Sequence, residues 1–97
     1  MSEKIACIGH EFAGVCHACD DLTVHGVLVT GEFATIEGQN ICVTGSEGVG
    51  NCGHRCTVIG KSQVFFINGI PVARVGDPVT GDIDGVIITG CDYAFAD

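Results

Sequence analysis

Tryptophan is absent from this chain, and it has one tyrosine, one methionine and two prolines. Aromatic payload for a large core is therefore thin, and at 97 residues the chain is one small domain whose stability is marginal without a staple, a metal or association. Cationic residues are equally scarce. Four Lys/Arg stand against twelve Asp/Glu, a formal charge of -8. That argues against nucleic-acid binding, which leans on basic residues facing phosphate, and disfavours an anionic lipid surface for the same reason. No stretch approaches the roughly 20 apolar residues of a membrane span. Nor does Met1-Ser-Glu-Lys lead into an apolar run of signal length, so the expectation is a soluble chain made in the cytoplasm. Good helix formers are sparse and no segment keeps a 3.6-residue period.

Glycine and cysteine are plentiful instead. The 15 glycines, far above the usual share of about 7%, lack a collagen period and read as turn punctuation. Between them Val, Ile, Thr and Phe dominate, which reads as short strands at 4–8, 26–30, 32–37, 40–44, 56–59, 63–68, 71–75, 85–89 and 92–96. Seven cysteines cannot all pair within one chain, and without a secretion signal reduced thiols or metal ligation are the default.

A short phrase recurs: His25-Gly-Val-Leu-Val-Thr-Gly31, His54-Arg-Cys-Thr-Val-Ile-Gly60 and Asp84-Gly-Val-Ile-Ile-Thr-Gly90. A fixed period of this size marks a repeat architecture. The copies extend upstream. Gly38 to Gly45 and Gly69 to Gly76 share a seven-residue spacing, and Ile5-Ala-Cys-Ile-Gly9-His10 matches the second half of that unit. The repeats run about 1–37, 38–68 and 69–97. Residues 10–24, 46–53 and 77–83 then read as connectors gathered at one end. The fold class expected is all-β, short strands in pseudo-threefold internal repeats with little or no helix.

The stretch Val64-Phe-Phe-Ile-Asn-Gly-Ile-Pro-Val-Ala-Arg-Val-Gly-Asp77, followed by the glycine-rich third phrase, resembles the PAAR-repeat family. The resemblance spreads over almost the entire chain because the threefold repeat is that family's own layout. It implies a small cone of short β-hairpins whose blunt base sits on a trimeric β-helical spike, one copy per trimer, and whose tip holds a metal, typically on three His and one Cys. It implies a spike-tip protein of a contractile phage tail baseplate or a type VI secretion system, touching a target membrane only during piercing, and not an enzyme. The physics is compatible, since a trimeric β-helix ends in three strand edges that need covering. One chain with three quasi-equivalent repeats can match them.

Strand alternation puts His25, Val27 and Val29 on one face, with His54, Cys56 and Val58 and with Asp84, Val86 and Ile88 as counterparts. If the valines face the core, the His/Asp layer lies at its end, with Cys56 a buried thiol one layer deeper. The first connector carries Cys16-His17-Ala-Cys19 and the second carries Cys52-Gly-His54. Cys-x-x-Cys is a common zinc half-site. The ligand set is drawn from Cys16, Cys19, His25, Cys52 and His54, four at once, with His10 and His17 in reserve. Asp84 departs from the family pattern, so either it ligates or the first connector supplies an extra donor; soft thiolates favour the latter. One structural zinc is expected, with iron as the other candidate. Cys7, Cys42 and Cys91 read as packing thiols, and a disulfide such as Cys16–Cys19 or Cys52–Cys56 is the alternative to ligation in an oxidising medium.

Other features point less far. Gly45-Ser-Glu-Gly-Val-Gly50 lacks the Gly-Lys-Ser/Thr ending of a phosphate loop and reads as a turn. Of Phe65 and Phe66, one should face in and one out. Arg74 can pair with Asp77 at the surface. Two further functions fit some of these residues: a small zinc enzyme with Glu11, Asp20 or Asp21 as base near an open metal position, and a redox module built on Cys16-x-x-Cys19.

Overall fold

A computed structural model of the protein describes residues 3–32, 34–36 and 38–97. Phe33 and Glu37, which belong to the expected strand 32–37, lie outside them, as do Met1 and Ser2. The described chain is all-β, with twelve short strands and one 3-10 turn at His17–Cys19. Six strands form three hairpins: β2 (Glu11–Cys16) with β3 (Leu22–Leu28), β6 (Glu47–Gly50) with β7 (Arg55–Val58), and β10 (Pro78–Gly81) with β11 (Ile83–Ile87). Each hairpin also pairs antiparallel with the next, β3 with β6, β7 with β10 and β11 with β2, so the sheet closes into a six-stranded barrel. Three smaller pairs make a base: β4 (Thr35–Ile36) with β5 (Gln39–Asn40), β8 (Phe66–Ile67) with β9 (Ile70–Pro71), and β12 (Phe95–Ala96) with β1 (Glu3–Lys4). The second closes through a tight turn at Asn68 and Gly69, and the third joins residues near the two ends of the sequence.

The threefold relation is written in the hydrogen bonds. The N–H of Ala6 donates to the carbonyl of Ala73, that of Cys42 to Ala6 and that of Ala73 to Cys42, at 3.0, 2.9 and 2.9 Å, a closed ring of fully buried residues. Single bridges link Ile5 to Arg74, Cys7 to Ile41 and Val43 to Val72 in the same cyclic order. Alternation along these three central segments sorts the interior. Ala6, Cys42 and Ala73 face the barrel core with Phe12, Leu28, Val58, Ile83 and Ile87, while Ile5, Cys7, Ile41, Val43 and Val72 face a second core above the base pairs.

Each central segment turns into its barrel hairpin through one device. Gly9, Gly45 and Gly76 have φ of 95°, 96° and 94°, as the third position of a type II turn requires. The residue after each glycine caps its turn. His10 Nδ1 accepts the Cys7 N–H, Ser46 Oγ that of Val43, and an Asp77 carboxylate oxygen that of Arg74. Asp77 is 2% exposed and also takes the Lys61 N–H and the Arg74 guanidinium. The pair expected at the surface is therefore buried.

Two expectations need correction. The connectors 10–24, 46–53 and 77–83 are not loops but carry β2, β6 and β10. Glycines disguised the first two: a Cβ on Gly14 would lie 2.2 Å from the Asp84 carbonyl oxygen and one on Gly48 2.7 Å from the Phe12 ring. Strands cross so closely here that side chains are excluded and the usual β-branched signal is missing. Phe65 and Phe66 do not split between inside and outside. Both stay partly exposed, because a two-residue strand at the base has little interior to offer.

Candidate metal centre

The barrel's far end is where its hairpins turn. Cys16 closes β2, opposite Leu22 on one side and Ile83 on the other. The 3-10 turn carries Cys19, and Asp20 and Asp21 follow in left-handed conformations with φ of 55° and 60°. The β6–β7 connection, residues 51–54, holds Cys52 and His54 around Gly53 with φ 88°. The Asn51 N–H donates to the His25 carbonyl at 2.8 Å and the Gly53 N–H to that of Gly50 at 2.9 Å, fixing this loop beside the first hairpin.

These loops bring Cys16, Cys19, Cys52 and His54 together, with one ligand atom from each lying within 4.8 Å of all the others. His54 Nδ1 stands 3.4 Å from Cys16 Sγ and 3.3 Å from Cys19 Sγ. In a tetrahedral zinc site with Zn–S bonds of about 2.3 Å the sulfurs stand roughly 3.8 Å apart. The group therefore needs only a small contraction to close on an ion. Three thiols and one imidazole are the donors of structural Cys3His sites, so the residues fit a metal of zinc's softness. Cys16 is fully buried, and the other three are half-buried.

The thiols are unequal. Cys52 is drawn down to about 7, chiefly because the backbone N–H of His54 donates to its sulfur. Cys19 is pushed up to about 11 by its hydrogen bond with Cys16 and by desolvation. A bound cation would take the proton from such a thiol outright. Cys56 and Cys42, pushed up to about 11 and about 12 mainly by burial, lie inside the barrel core away from this group, and Cys7 and Cys91 are buried near the base.

His25 is not brought to the cluster. It is exposed on the outer barrel wall, in a shallow dent with Glu11, Val27 and Asn51. Asp84 is exposed too, and accepts from Thr80 Oγ1 and pairs with His17. His17 bridges Asp21 at 2.7 Å and Asp84 at 2.8 Å, which raises its pKa, Asp21 contributing most, and holds Asp84 below the usual carboxylate range. His10 is occupied in its turn at the other end of the barrel.

The reason for the split is phase. Leu28, Val58 and Ile87 are the true counterparts, since their N–H groups donate to His10, Ser46 and Asp77 and their carbonyls accept from Gly9, Gly45 and Gly76. By that register His25 and Asp84 stand three residues before the reference position, and His54 four. Alternation therefore turns His54 inward and His25 and Asp84 outward. Val27, Val86 and Ile88, expected in the core, are 41%, 44% and 47% exposed for the same reason. The glycine ending the second phrase was the misleading letter. Gly60 stands where Thr30 and Thr89 stand in the other copies. Those threonines accept the N–H of Glu47 and Glu11, whereas the corresponding residue beside Gly60 is Pro78, which has no N–H to satisfy.

Of the residues considered as a catalytic base, Asp20 and Asp21 lie in the apical loop and Glu11 at the opposite end of β2 from Cys16. No protein-family model matches the chain, and neither curated proteins nor solved structures give a significant match. The geometry therefore speaks by itself: a small all-β chain of threefold design whose apex carries a Cys/His group able to hold a metal ion.

Proposed function

We propose that the protein is a structural tip that caps the blunt end of a trimeric β-helical spike in a contractile injection machine, a phage tail or a type VI secretion apparatus, with a metal stapling the apex used in piercing. The observation that carries this reading is the cyclic pairing of three hairpins within one chain. A monomer with threefold backbone order can meet a threefold partner one to one, and three base pairs of strands stand ready opposite the three strand ends of such a spike.

Two further features support it. The base is apolar where an isolated surface would be polar. Val64, Phe66, Tyr93 and Phe95 are 70%, 48%, 82% and 51% exposed, and equivalence through the hydrogen bonds of Val72 and Ile5 puts Phe66 and Phe95 at one level. Exposed patches of this kind mark interaction surfaces. At the other end, four protein donors complete a tetrahedral set, the closed form of a structural site. Such sites contribute on the order of 10 kcal/mol in small zinc modules, which suits an apex too narrow for a large core.

Mixing the chain with an isolated trimeric spike and sizing the complex by light scattering tests the reading. One copy per trimer is expected, weakened at least tenfold by Phe66→Ser with Phe95→Ser while the melting temperature of the free chain stays within a few degrees. Three copies per trimer, or no complex, would refute it.

A further inference from the structure

The apical group has a property that a purely structural metal site does not require: two of its three cysteines are only partly buried. Cys16 is fully buried and its backbone is held in register on both sides. Cys19 and Cys52 are half-buried, each sits in a loop rather than a strand, and the two loops belong to different hairpins. Their sulfurs lie within 4.8 Å of each other. A disulfide needs about 2.05 Å between sulfurs. The approach of under roughly 3 Å that remains is within reach of two short loops, one a 3-10 turn and one the four-residue connection 51–54.

We propose that Cys19 and Cys52 are a redox pair: hydrogen peroxide joins them in a disulfide that links the first and second hairpins and releases the metal. The release half of this inference rests on the metal reading above, while the disulfide half rests on the sulfur geometry alone. The reaction balances. One thiolate attacks the peroxide oxygen, the O–O bond breaks, and a sulfenic acid and water form after protonation. The second thiolate attacks the sulfenic sulfur and expels hydroxide, which leaves as a second water. Two sulfurs lose one electron each and the peroxide gains two. Cys16 and His54 remain as two donors, half of a tetrahedral set, and do not hold zinc. The apex thus keeps a covalent staple in an oxidising medium where the metal staple of a reducing one would be lost.

The test uses the full chain loaded with zinc. Hydrogen peroxide is added, released zinc is followed with a metallochromic indicator, and linked cysteines are mapped by mass spectrometry without reduction. The expected result is one zinc released per chain in step with a Cys19–Cys52 link, both reversed by dithiothreitol. Zinc retained with both thiols unlinked overturns the proposal, as does a link that recruits Cys16 or oxidation that stops at sulfonic acid. A reduced chain that takes up no zinc sinks the metal reading instead; the same mapping on that metal-free chain then decides the pair, a Cys19–Cys52 link supporting it and any other product overturning it. Cys16→Ser should still form the link and Cys52→Ser should not. Mapping of the unaltered chain needs neither variant to fold.

Discussion

A single residue's phase along a strand separates a candidate ligand, His54, from a bystander, His25. His54→Ala is expected to weaken zinc binding at least tenfold in a competition titration, since it removes one of four donors. His25→Ala, on the outer wall, should leave both the affinity and the melting temperature unchanged. Removing the ion with a chelator should lower the melting temperature by ten degrees or more, and an unchanged curve would count against the site. The pH dependence follows from proton displacement. Above about pH 7 Cys52 already carries its charge, whereas below it one further proton must leave for the metal to bind, so the affinity should fall more steeply as pH drops through 7. At the other end of the barrel Asp77→Ala would strand three backbone or guanidinium donors around a buried site. A cost of about 3 kcal/mol is expected from urea unfolding, larger than any exposed ion pair gives. The Cys/His clusters that make up the apical group were legible because sequence proximity and the repeat both point to one end. The inclusion of His25 was not correctable from letters alone, because the one-residue slip that reverses alternation is hidden in Gly60 standing where a threonine belongs.

At the level of elements, the turns announced themselves and three of the six barrel strands did not. Gly9, Gly45 and Gly76 recur because their φ near +95° admits little else, and the spacing from them back to the base turns survives in the sequence. The strand β10 stayed hidden because it opens on Pro78, and β2 and β6 because the barrel is narrow. Where its walls cross, glycine replaces the Val and Ile by which strands are recognised. This distinction can be measured. Gly85→Ala would place a Cβ 2.0 Å from the Ala13 carbonyl oxygen, so the sheet must shift, and a loss of about 3 kcal/mol is expected. Gly38→Ala meets no atom within 4 Å and carries only the cost of a left-handed φ of 82°, about 1 kcal/mol. Urea midpoints of the two variants should separate accordingly.

For the whole molecule, the third base pair differs from the other two only in lacking a turn: Ala96 opposes Glu3 as Ile36 opposes Gln39 and Ile67 opposes Ile70. Joining Asp97 to Met1 and opening the chain between Asn68 and Gly69 is therefore expected to give a permutant that melts within a few degrees of the original. The cyclic pairing also bears on how such a chain comes into being. Because β2 is bonded to β11 as well as to β3, and the Ala6 N–H waits for Ala73, the barrel cannot close until the third hairpin has been made. Until β11 is in place the outer edge of β2 stays open, and the barrel closes in one step when the two meet. A copy truncated before β11 should therefore aggregate through that edge rather than persist as a fragment.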